Sequence, residues 1–354
     1  MSRYFSEKFA SLEAYVPGEQ PRDQQYIKLN TNENPFPPHA AVSAAAAEAA
    51  KSLQLYPDPE CLALRKMLAK TTGLRPDELI VTNGSDEALY FAFLAFCDKY
   101  APAVFPDITY GFYPVYANVT GSPYREIPVK EDLRVDPREY FHAAGTVFLA
   151  NPNAPTGIAL SRKEIEEILQ ANPYNVVVVD EAYVDFGGES CLGLIREYEN
   201  LLVIQTFSKS RSMAGGRLGF AAGNPELIRD LQTIKYSVNP YNINMMTNAA
   251  AIACLEHDDY NKMHCLQVIE VRDEFADRLK DLGFEITASK TNFLFVRHPK
   301  IGGEALYKEL KKRGILIRHF SVARIADWNR ISVGTRKQME HLVKAIEKIL
   351  EENA

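Results

Sequence analysis

The sequence of 354 residues lacks several features that mark specialised classes of protein. Its five cysteines, Cys61, Cys97, Cys191, Cys254 and Cys265, are scattered and form no C-x-x-C pair. We therefore expect free thiols in a reducing compartment rather than a disulfide framework. No apolar run approaches the roughly 20 residues of a membrane span, and the N-terminus has no apolar core like that of a signal peptide. These absences predict a cytoplasmic protein.

Excess basic charge is also missing. Lysine and arginine number 40 against 46 aspartates and glutamates, which gives a net charge of −6. This balance argues against nucleic-acid and membrane partners, but it leaves room for a local basic pocket that binds a small anion. The P-loop, dinucleotide-binding and hydrolase-elbow motifs are absent. The seven histidines lack metal-ligand spacing, so we predict no metal site.

What the sequence does contain is an alternation of apolar runs with helical stretches. Strands are predicted at 79–82, 103–105, 146–150, 176–180 and 201–207, and helices at 86–97 and 161–170. Continuous apolar runs are typical of strands covered on both faces. The alternation therefore predicts an α/β fold with a mostly parallel sheet between two helical layers.

The pattern changes after residue 224 and predicts a smaller α+β unit. Its predicted helices are 244–256, 258–282, 303–313 and 335–352, and its predicted strands are 292–296, 314–318 and 330–333. We predict a large domain at 40–255, and an N-terminal arm and small domain formed by 1–39 and 256–354.

Residues with chemical potential follow several of the predicted strands, at the edge where α/β proteins bind ligands. Gly84 and Ser85 open a helix whose free N–H groups suit a phosphate, although this run taken alone favours an ordinary capped helix start with Ser85 or Asp86 as N-cap. Asp180 ends a buried strand and needs a cationic partner, unless it lies at the surface. Lys209 is either a nucleophilic amine or a solvated lysine, and Arg217 offers a fork for an anion. Together these are the parts of a pyridoxal phosphate site.

Longer motifs carry a resemblance to a known family. They are K-L-N-T-N-E-N-P at 28–35, Y-P-D-P at 56–59, N-P-N-A-P-T-G at 151–157, D-E-A-Y at 180–183 and R-I-S-V-G-T-R at 330–336. The sequence resembles the fold-type I, class II aminotransferases, and among them the histidinol-phosphate aminotransferase family. The resemblance implies a transaminase of histidine biosynthesis that uses pyridoxal 5'-phosphate and moves an amino group between L-histidinol phosphate and 2-oxoglutarate. It also implies a homodimer with shared active sites.

The same resemblance implies a role for each matching residue. Lys209 is the catalytic residue and forms the Schiff base, Asp180 pairs with the pyridinium nitrogen, Tyr183 contacts the ring 3-oxygen and Tyr110 stacks on the ring. The residues implied to hold the cofactor phosphate are Gly84, Ser85, Ser208, Arg217 and, from the neighbouring subunit, Tyr56. The residues implied to bind substrate are Arg330, at the α-carboxylate, Arg318 with Tyr15, at the substrate phosphate, and Asn32.

The match departs from the family at one position. Relatives usually have asparagine immediately before the Pro-Thr-Gly, where its amide contacts the cofactor 3-oxygen, and this chain has Ala154. Either Tyr183 serves that oxygen alone or Asn153 turns in to help, so Asn153 is included among the cofactor-binding residues.

Three other functions fit the same residues. A threonine-phosphate decarboxylase would differ only in which bond at Cα stands perpendicular to the cofactor ring, an angle that a sequence does not specify. An aminotransferase for aromatic amino acids is the second. A noncatalytic binding module with the same fold is the third, and the joint presence of Lys209, Asp180 and Arg217 argues against it.

Overall fold

The computed structural model describes residues 2–10, 12, 14–15, 18–21 and 23–352. The predicted N-terminal arm and the C-terminal end of the predicted small domain therefore lie partly outside the described residues. The strands are β1 (Ile27–Lys28), β2 (Leu79–Thr82), β3 (Ala103–Pro106), β4 (Tyr124–Ile127), β5 (Thr146–Ala150), β6 (Val177–Asp180), β7 (Leu201–Thr206), β8 (Gly219–Gly223), β9 (Glu285–Ile286), β10 (Phe293–Arg297), β11 (Ile315–Leu316), β12 (Arg318–His319) and β13 (Asn329–Ser332). The helices are α1 (Ala40–Ala49), α2 (Leu62–Thr72), α3 (Gly84–Phe96), α4 (Tyr113–Thr120), α5 (Arg162–Ala171), α6 (Pro225–Val238), α7 (Met245–Glu256), α8 (Asp258–Asp281), α9 (Gly303–Lys312) and α10 (Arg336–Glu352).

Seven strands form the large sheet in the order β2-β8-β7-β6-β5-β3-β4. The strands β4, β3, β5, β6 and β7 run parallel, and β8 lies antiparallel between β2 and β7. Val177, Val178 and Val179 are fully buried because apolar clusters cover both faces of the sheet. The predicted α/β fold with a mostly parallel sheet is confirmed.

A second, antiparallel sheet has the order β12-β13-β10-β9. Its buried residues, such as Leu294 and Val296, share an apolar cluster with Phe275 of α8 and with Leu342 and Ile346 of α10. The strand β1 pairs with β11, so the segment before residue 40 joins this part of the molecule. The domain boundaries at 40 and 255 stay a prediction.

The strand predicted at 314–318 is wrong in one respect, because it divides into β11 and β12. The two pieces have different partners: β11 pairs with β1, and β12 pairs with β13. This division places Arg318 at the start of its own short strand beside Arg330. Within the described part of the chain, no helix combines the length and apolarity needed to cross a membrane.

Candidate active site

Two adjoining cavities lie where the carboxyl ends of the parallel strands meet the N-terminus of α3. The smaller has a volume of about 190 Å³, and Asp180, Lys209 and Arg217 contribute to its wall. The larger has a volume of about 460 Å³, and its wall includes Arg318 and Arg330. Five residues line both cavities: Thr31, Tyr110, Ala154, Tyr183 and Lys209. The reactive groups predicted from separate strands thus meet in one place.

Lys209 lies in the loop that follows β7. Its Nζ donates a hydrogen bond to the Thr31 carbonyl at 3.3 Å and lies 5.7 Å from the centre of the Tyr183 ring. The Lys209 carbonyl accepts a hydrogen bond from Asn34 Nδ2 at 3.1 Å. Asn34 of the N-E-N-P motif therefore anchors the lysine backbone. Sequence reasoning had not identified this role, although it had singled out the motif.

Asp180 ends β6 and is only 5% exposed. Burial raises the pKa of its carboxyl group to about 7, although the Ala182 N–H donates to Oδ1 at 3.1 Å and the Tyr113 hydroxyl donates to Oδ2 at 3.4 Å. A carboxyl group with such a pKa gains most from a cation that enters the cavity and favours its charged form. A protonated pyridine nitrogen is a cation of this kind.

The first turn of α3 and the side chain of Arg217 form an anion cradle. Gly84 has a φ of +75°, and a Cβ at this position would lie 2.6 Å from Arg217 Nη2, so only glycine admits the guanidinium. Arg217 Nη1 donates to the Ser208 hydroxyl at 3.3 Å. Ser85 shares the cavity wall with them. Free helix N–H groups, a hydroxyl and a guanidinium form a donor set that suits a phosphate.

Asp86 is a residue of the site that sequence reasoning treated only as a possible helix cap. Its Oδ1 accepts a hydrogen bond from the Tyr110 hydroxyl at 2.7 Å, and its Oδ2 accepts one from Arg217 Nη2 at 2.9 Å. Asp86 thereby joins the predicted ring-stacking tyrosine to the predicted phosphate ligand. Its place in the N-G-S-D run beside Gly84 and Ser85 was the available signal.

The structure does not bring Asn153 to the wall of either cavity. Its Nδ2 donates to the Ile108 carbonyl at 2.9 Å and to Thr156 Oγ1 at 3.1 Å, and its Oδ1 accepts from Thr109 Oγ1 at 2.8 Å. The amide holds its own loop, so the prediction that it contacts the cofactor is corrected. The side chain that faces the cavities here is the methyl group of Ala154.

Two arginines from neighbouring strands enter the larger cavity. Arg330 Nη2 donates to the Asn30 carbonyl at 3.3 Å, whereas its buried Nε has no hydrogen-bond partner among the described residues. Burial lowers the pKa of the Arg330 guanidinium, a group that stays charged in proteins. Arg318 pairs with Arg330 in the strand register, and Tyr15 lines the same cavity, where its ring packs against Phe112. The guanidinium groups of Arg318 and Arg330 therefore make this wall suitable for binding an anion.

Tyr56 is the one predicted site residue that lies away from both cavities on the outer surface. Its side chain is 82% exposed and stacks on Tyr241 with ring centres 4.8 Å apart. A role in the active site of its own chain does not follow from this position. The predicted role in the site of a neighbouring subunit stays a prediction.

A family model described as aminotransferase class I and II matches residues 24–346, so the chain belongs to this family. The predictions of a fold-type I enzyme, of transaminase activity and of pyridoxal phosphate as cofactor are confirmed at the level of the family. Among the most similar relatives are two histidinol-phosphate aminotransferases. That of Clostridium acetobutylicum is 44% identical over 99% of this chain and all of its own, and that of Acinetobacter baumannii is 47% identical over 98% of this chain and 97% of its own. The predicted resemblance to the histidinol-phosphate aminotransferase family is thus confirmed.

Solved structures agree with this assignment. Histidinol-phosphate aminotransferase of Sinorhizobium meliloti, crystallised with pyridoxal 5'-phosphate, superposes with a TM-score of 0.86 at 26% identity over 94% of this chain and 93% of its own. The residues around the smaller cavity fit that cofactor: the donors of the anion cradle would suit its phosphate, the buried acid Asp180 would suit a protonated ring nitrogen, and the amine of Lys209 would suit its aldehyde carbon.

Proposed function

We propose that this chain transfers an amino group between L-histidinol phosphate and 2-oxoglutarate, in histidine biosynthesis. The observation that carries the proposal is the junction of the two cavities at Lys209. A cofactor site with one amine, one buried acid and one phosphate cradle opens directly into a cavity whose wall presents Arg318 and Arg330. The relatives that match the full chain support the same substrate.

Each group of the smaller cavity has a defined task in this reaction. Pyridoxal phosphate, when bound, supplies an electrophilic carbon and a cationic ring that accepts the electron pair of a breaking Cα–H bond. Lys209 takes the proton from Cα as general base and returns it as general acid at the cofactor carbon. Asp180 keeps a proton on the ring nitrogen. Arg217, Ser208 and the N–H groups of Gly84 and Ser85 fix the phosphate and hence the orientation of the ring.

The larger cavity binds the remote end of the substrate. Histidinol phosphate carries a phosphate ester, and glutamate carries two carboxylates, so one wall must accept anions of different shape. The planar forks of Arg318 and Arg330 form bidentate hydrogen bonds with either group. Tyr15 and Asn30 line the same cavity and frame the arginines.

We also propose that the protein is a homodimer with shared active sites. Leu53, Leu55 and Tyr56 lie on the surface with more than half of each side chain exposed, and Tyr56 stacks on Tyr241 beside them. Neighbouring exposed apolar side chains of this kind are typical of a protein interface. The five thiols are free and buried, which fits the reducing cytoplasm that we propose as its location.

A half-reaction tests the proposed function. Purified protein loaded with pyridoxal phosphate should lose its visible absorption when histidinol phosphate is added and release the oxo product in equal amount. The variant Lys209→Ala should bind the cofactor and show no conversion, whereas Lys300→Ala, an exposed lysine outside both cavities, should behave as wild type.

The alternatives give different outcomes in the same assay. Release of carbon dioxide from threonine phosphate would indicate the decarboxylase, and conversion by phenylalanine or tyrosine alone would indicate the aromatic enzyme. Binding of amino acids without any spectral change, in wild type and in Lys209→Ala alike, would indicate a noncatalytic module. Any of these results would overturn the proposed substrate.

A further inference from the structure

Asn32 occupies a place where its amide group has only one orientation. The residue is 1% exposed and has a φ of +57°, a left-handed conformation that asparagine tolerates better than most residues. Its backbone N–H donates to the Ser332 hydroxyl at 2.8 Å, and that hydroxyl donates to Asn32 Oδ1 at 2.9 Å. Because Oδ1 is held as an acceptor, Nδ2 is fixed as a donor on the opposite side. It donates to the hydroxyl oxygen of Tyr183 at 2.9 Å.

This hydrogen bond determines what the Tyr183 hydroxyl can do. Its oxygen accepts a hydrogen bond from Asn32 Nδ2, and the hydroxyl hydrogen has no acceptor within hydrogen-bond distance among the described residues. The ring of Tyr183 is held edge-on against Phe293, with centres 5.1 Å apart, so the hydroxyl keeps its position at the wall of the smaller cavity. The free proton is therefore available to a group that enters that cavity.

The neighbouring loop cannot supply an equivalent donor. Ala154 ends in a methyl group, and the amide of Asn153 is committed to the Ile108 carbonyl and to Thr156. Of the three positions considered for the cofactor 3-oxygen, only Tyr183 presents a hydrogen that is free. Its hydrogen-bond strength then matters more than it would if an asparagine shared the oxygen.

We propose that Asn32, although it also lines the larger cavity, is a positioning residue: it acts through Tyr183, which it strengthens as the donor to the cofactor 3-oxygen, rather than by binding substrate. A hydroxyl whose oxygen accepts one hydrogen bond becomes a better donor in the next, because the two bonds polarise each other. The proposal rests on the pyridoxal phosphate site of the proposed function. It extends that function, because Ala154 has no hydrogen-bond donor for the cofactor 3-oxygen and we assign this donation to Tyr183 supported by Asn32.

The expected consequence is a shift in acidity at the linkage between Lys209 and the cofactor. Donation from Tyr183 withdraws electron density from the 3-oxygen, which then stabilises a proton on the adjacent nitrogen less well. Weakening the donor therefore raises the pH at which the visible band of the loaded enzyme changes. Lys209 and Arg330 are charged groups close to Tyr183, and Asp180, Glu33, Asp86 and Arg217 line the smaller cavity with it. All of them are retained in every variant below.

The variant Asn32→Gly tests the proposal without backbone strain, because glycine adopts a positive φ freely. We expect the midpoint of the visible-band titration to rise by about half a pH unit, part of the way towards that of Tyr183→Phe. The dissociation constant of pyridoxal phosphate, measured by quenching of protein fluorescence, should rise several-fold. Ser332→Ala, which frees the amide to rotate, should give a smaller shift in the same direction.

The double variant Asn32→Gly/Tyr183→Phe separates positioning from an independent effect. If Asn32 acts through Tyr183, the double variant titrates at the same pH as Tyr183→Phe. Additive shifts, or a titration of Asn32→Gly identical to that of wild type, would overturn the proposal. If Asn32→Gly selectively raised the KM for histidinol phosphate and left the visible-band titration unchanged, Asn32 would instead be a substrate-binding residue.

Asn172→Ala is the matched control, since Asn172 is equally buried and its amide donates to the carbonyls of Tyr140 and Ile168, away from both cavities. It should lower the thermal midpoint and leave the visible-band titration unchanged. Failure of the wild-type protein to bind pyridoxal phosphate would instead contradict the proposed function. If the midpoint of the visible-band titration rises in Tyr183→Phe but does not change in Asn32→Gly, only the present inference is contradicted.

Discussion

At the scale of one residue, the burial of Asp180 creates a site for a cation but lowers the free energy of unfolding of the cofactor-free protein. Its carboxyl group has a pKa near 4 in an unfolded chain and a pKa of about 7 in the folded protein, because burial disfavours the charged form. A carboxyl group whose pKa rises on folding destabilises the folded state wherever it is ionised in the unfolded chain. The cost is absent below about pH 4, grows between about pH 4 and pH 7 and is constant above.

The variant Asp180→Asn should therefore stabilise the cofactor-free protein at pH 8 and leave it unchanged at pH 4. A rise of about three pKa units corresponds to at most about 4 kcal/mol. Thermal unfolding at the two pH values measures the difference, and the loaded enzyme should show the reverse order because the variant binds the pyridinium poorly. Asp136→Asn should lower the midpoint at pH 8, because Arg138 and Lys130 hold the pKa of Asp136 below its usual value. If cofactor-free Asp180→Asn and wild type had equal thermal midpoints at pH 8, the conclusion that ionised Asp180 destabilises the folded protein would be wrong.

At the scale of elements, buried strands that contain a run of large apolar residues were predictable, and strands without such a run were not. The predicted strands at 79–82, 146–150 and 201–207 lie within one residue of β2, β5 and β7. The strand β8 has the sequence G-F-A-A-G, which has little β propensity, and it forms because it fills the space between β2 and β7. The edge strand β4 is mostly exposed and carries no apolar alternation.

The same limit applies to parts of the site. Lys209, Asp180 and Arg217 were predictable because each follows the end of a strand or a motif. Asn34 and Asp86 act through hydrogen bonds to residues 175 and 131 positions away, so their roles depend on how the elements pack. Local patterns in a sequence contain no direct measure of such distances.

The N-terminus of α3 can be tested through Gly84, its first residue, which forms part of the anion cradle. Gly84→Ala places a Cβ 2.6 Å from Arg217 Nη2, too close for both atoms to stay in place, and imposes a φ of +75° on alanine. We expect the dissociation constant of pyridoxal phosphate to rise at least about ten-fold, because the guanidinium must move away from the helix N-terminus. Gly215→Ala is the matched control: it lies in the same loop as Arg217, and a Cβ there meets no atom within 4 Å. Equal cofactor affinity in the two variants would contradict the assignment of the cradle.

At the scale of the whole molecule, the exposed position of Tyr56 connects cofactor binding to assembly. The residue is too far out to line the cavities of its own chain, yet it lies in an apolar surface group with Leu53 and Leu55. In a twofold dimer the same surface serves both subunits, so a residue outside one site can complete the other. Sedimentation should show a dimer, and a monomer with full activity would contradict the shared site.

Subunit exchange tests the shared site directly. A dimer that combines Lys209→Ala with Tyr56→Ala contains one site that has lost both residues and one site that retains both. Random exchange makes half of the dimers mixed, so the mixture should recover about one quarter of wild-type activity although each parent is impaired. Mixing Lys209→Ala with Gly84→Ala should recover nothing, because Lys209 and Arg217, the residue that packs against Gly84, line the same cavity of one chain, so neither site of the mixed dimer is intact. Recovery in the second mixture, or its absence in the first, would show that Tyr56 does not complete the active site of its partner.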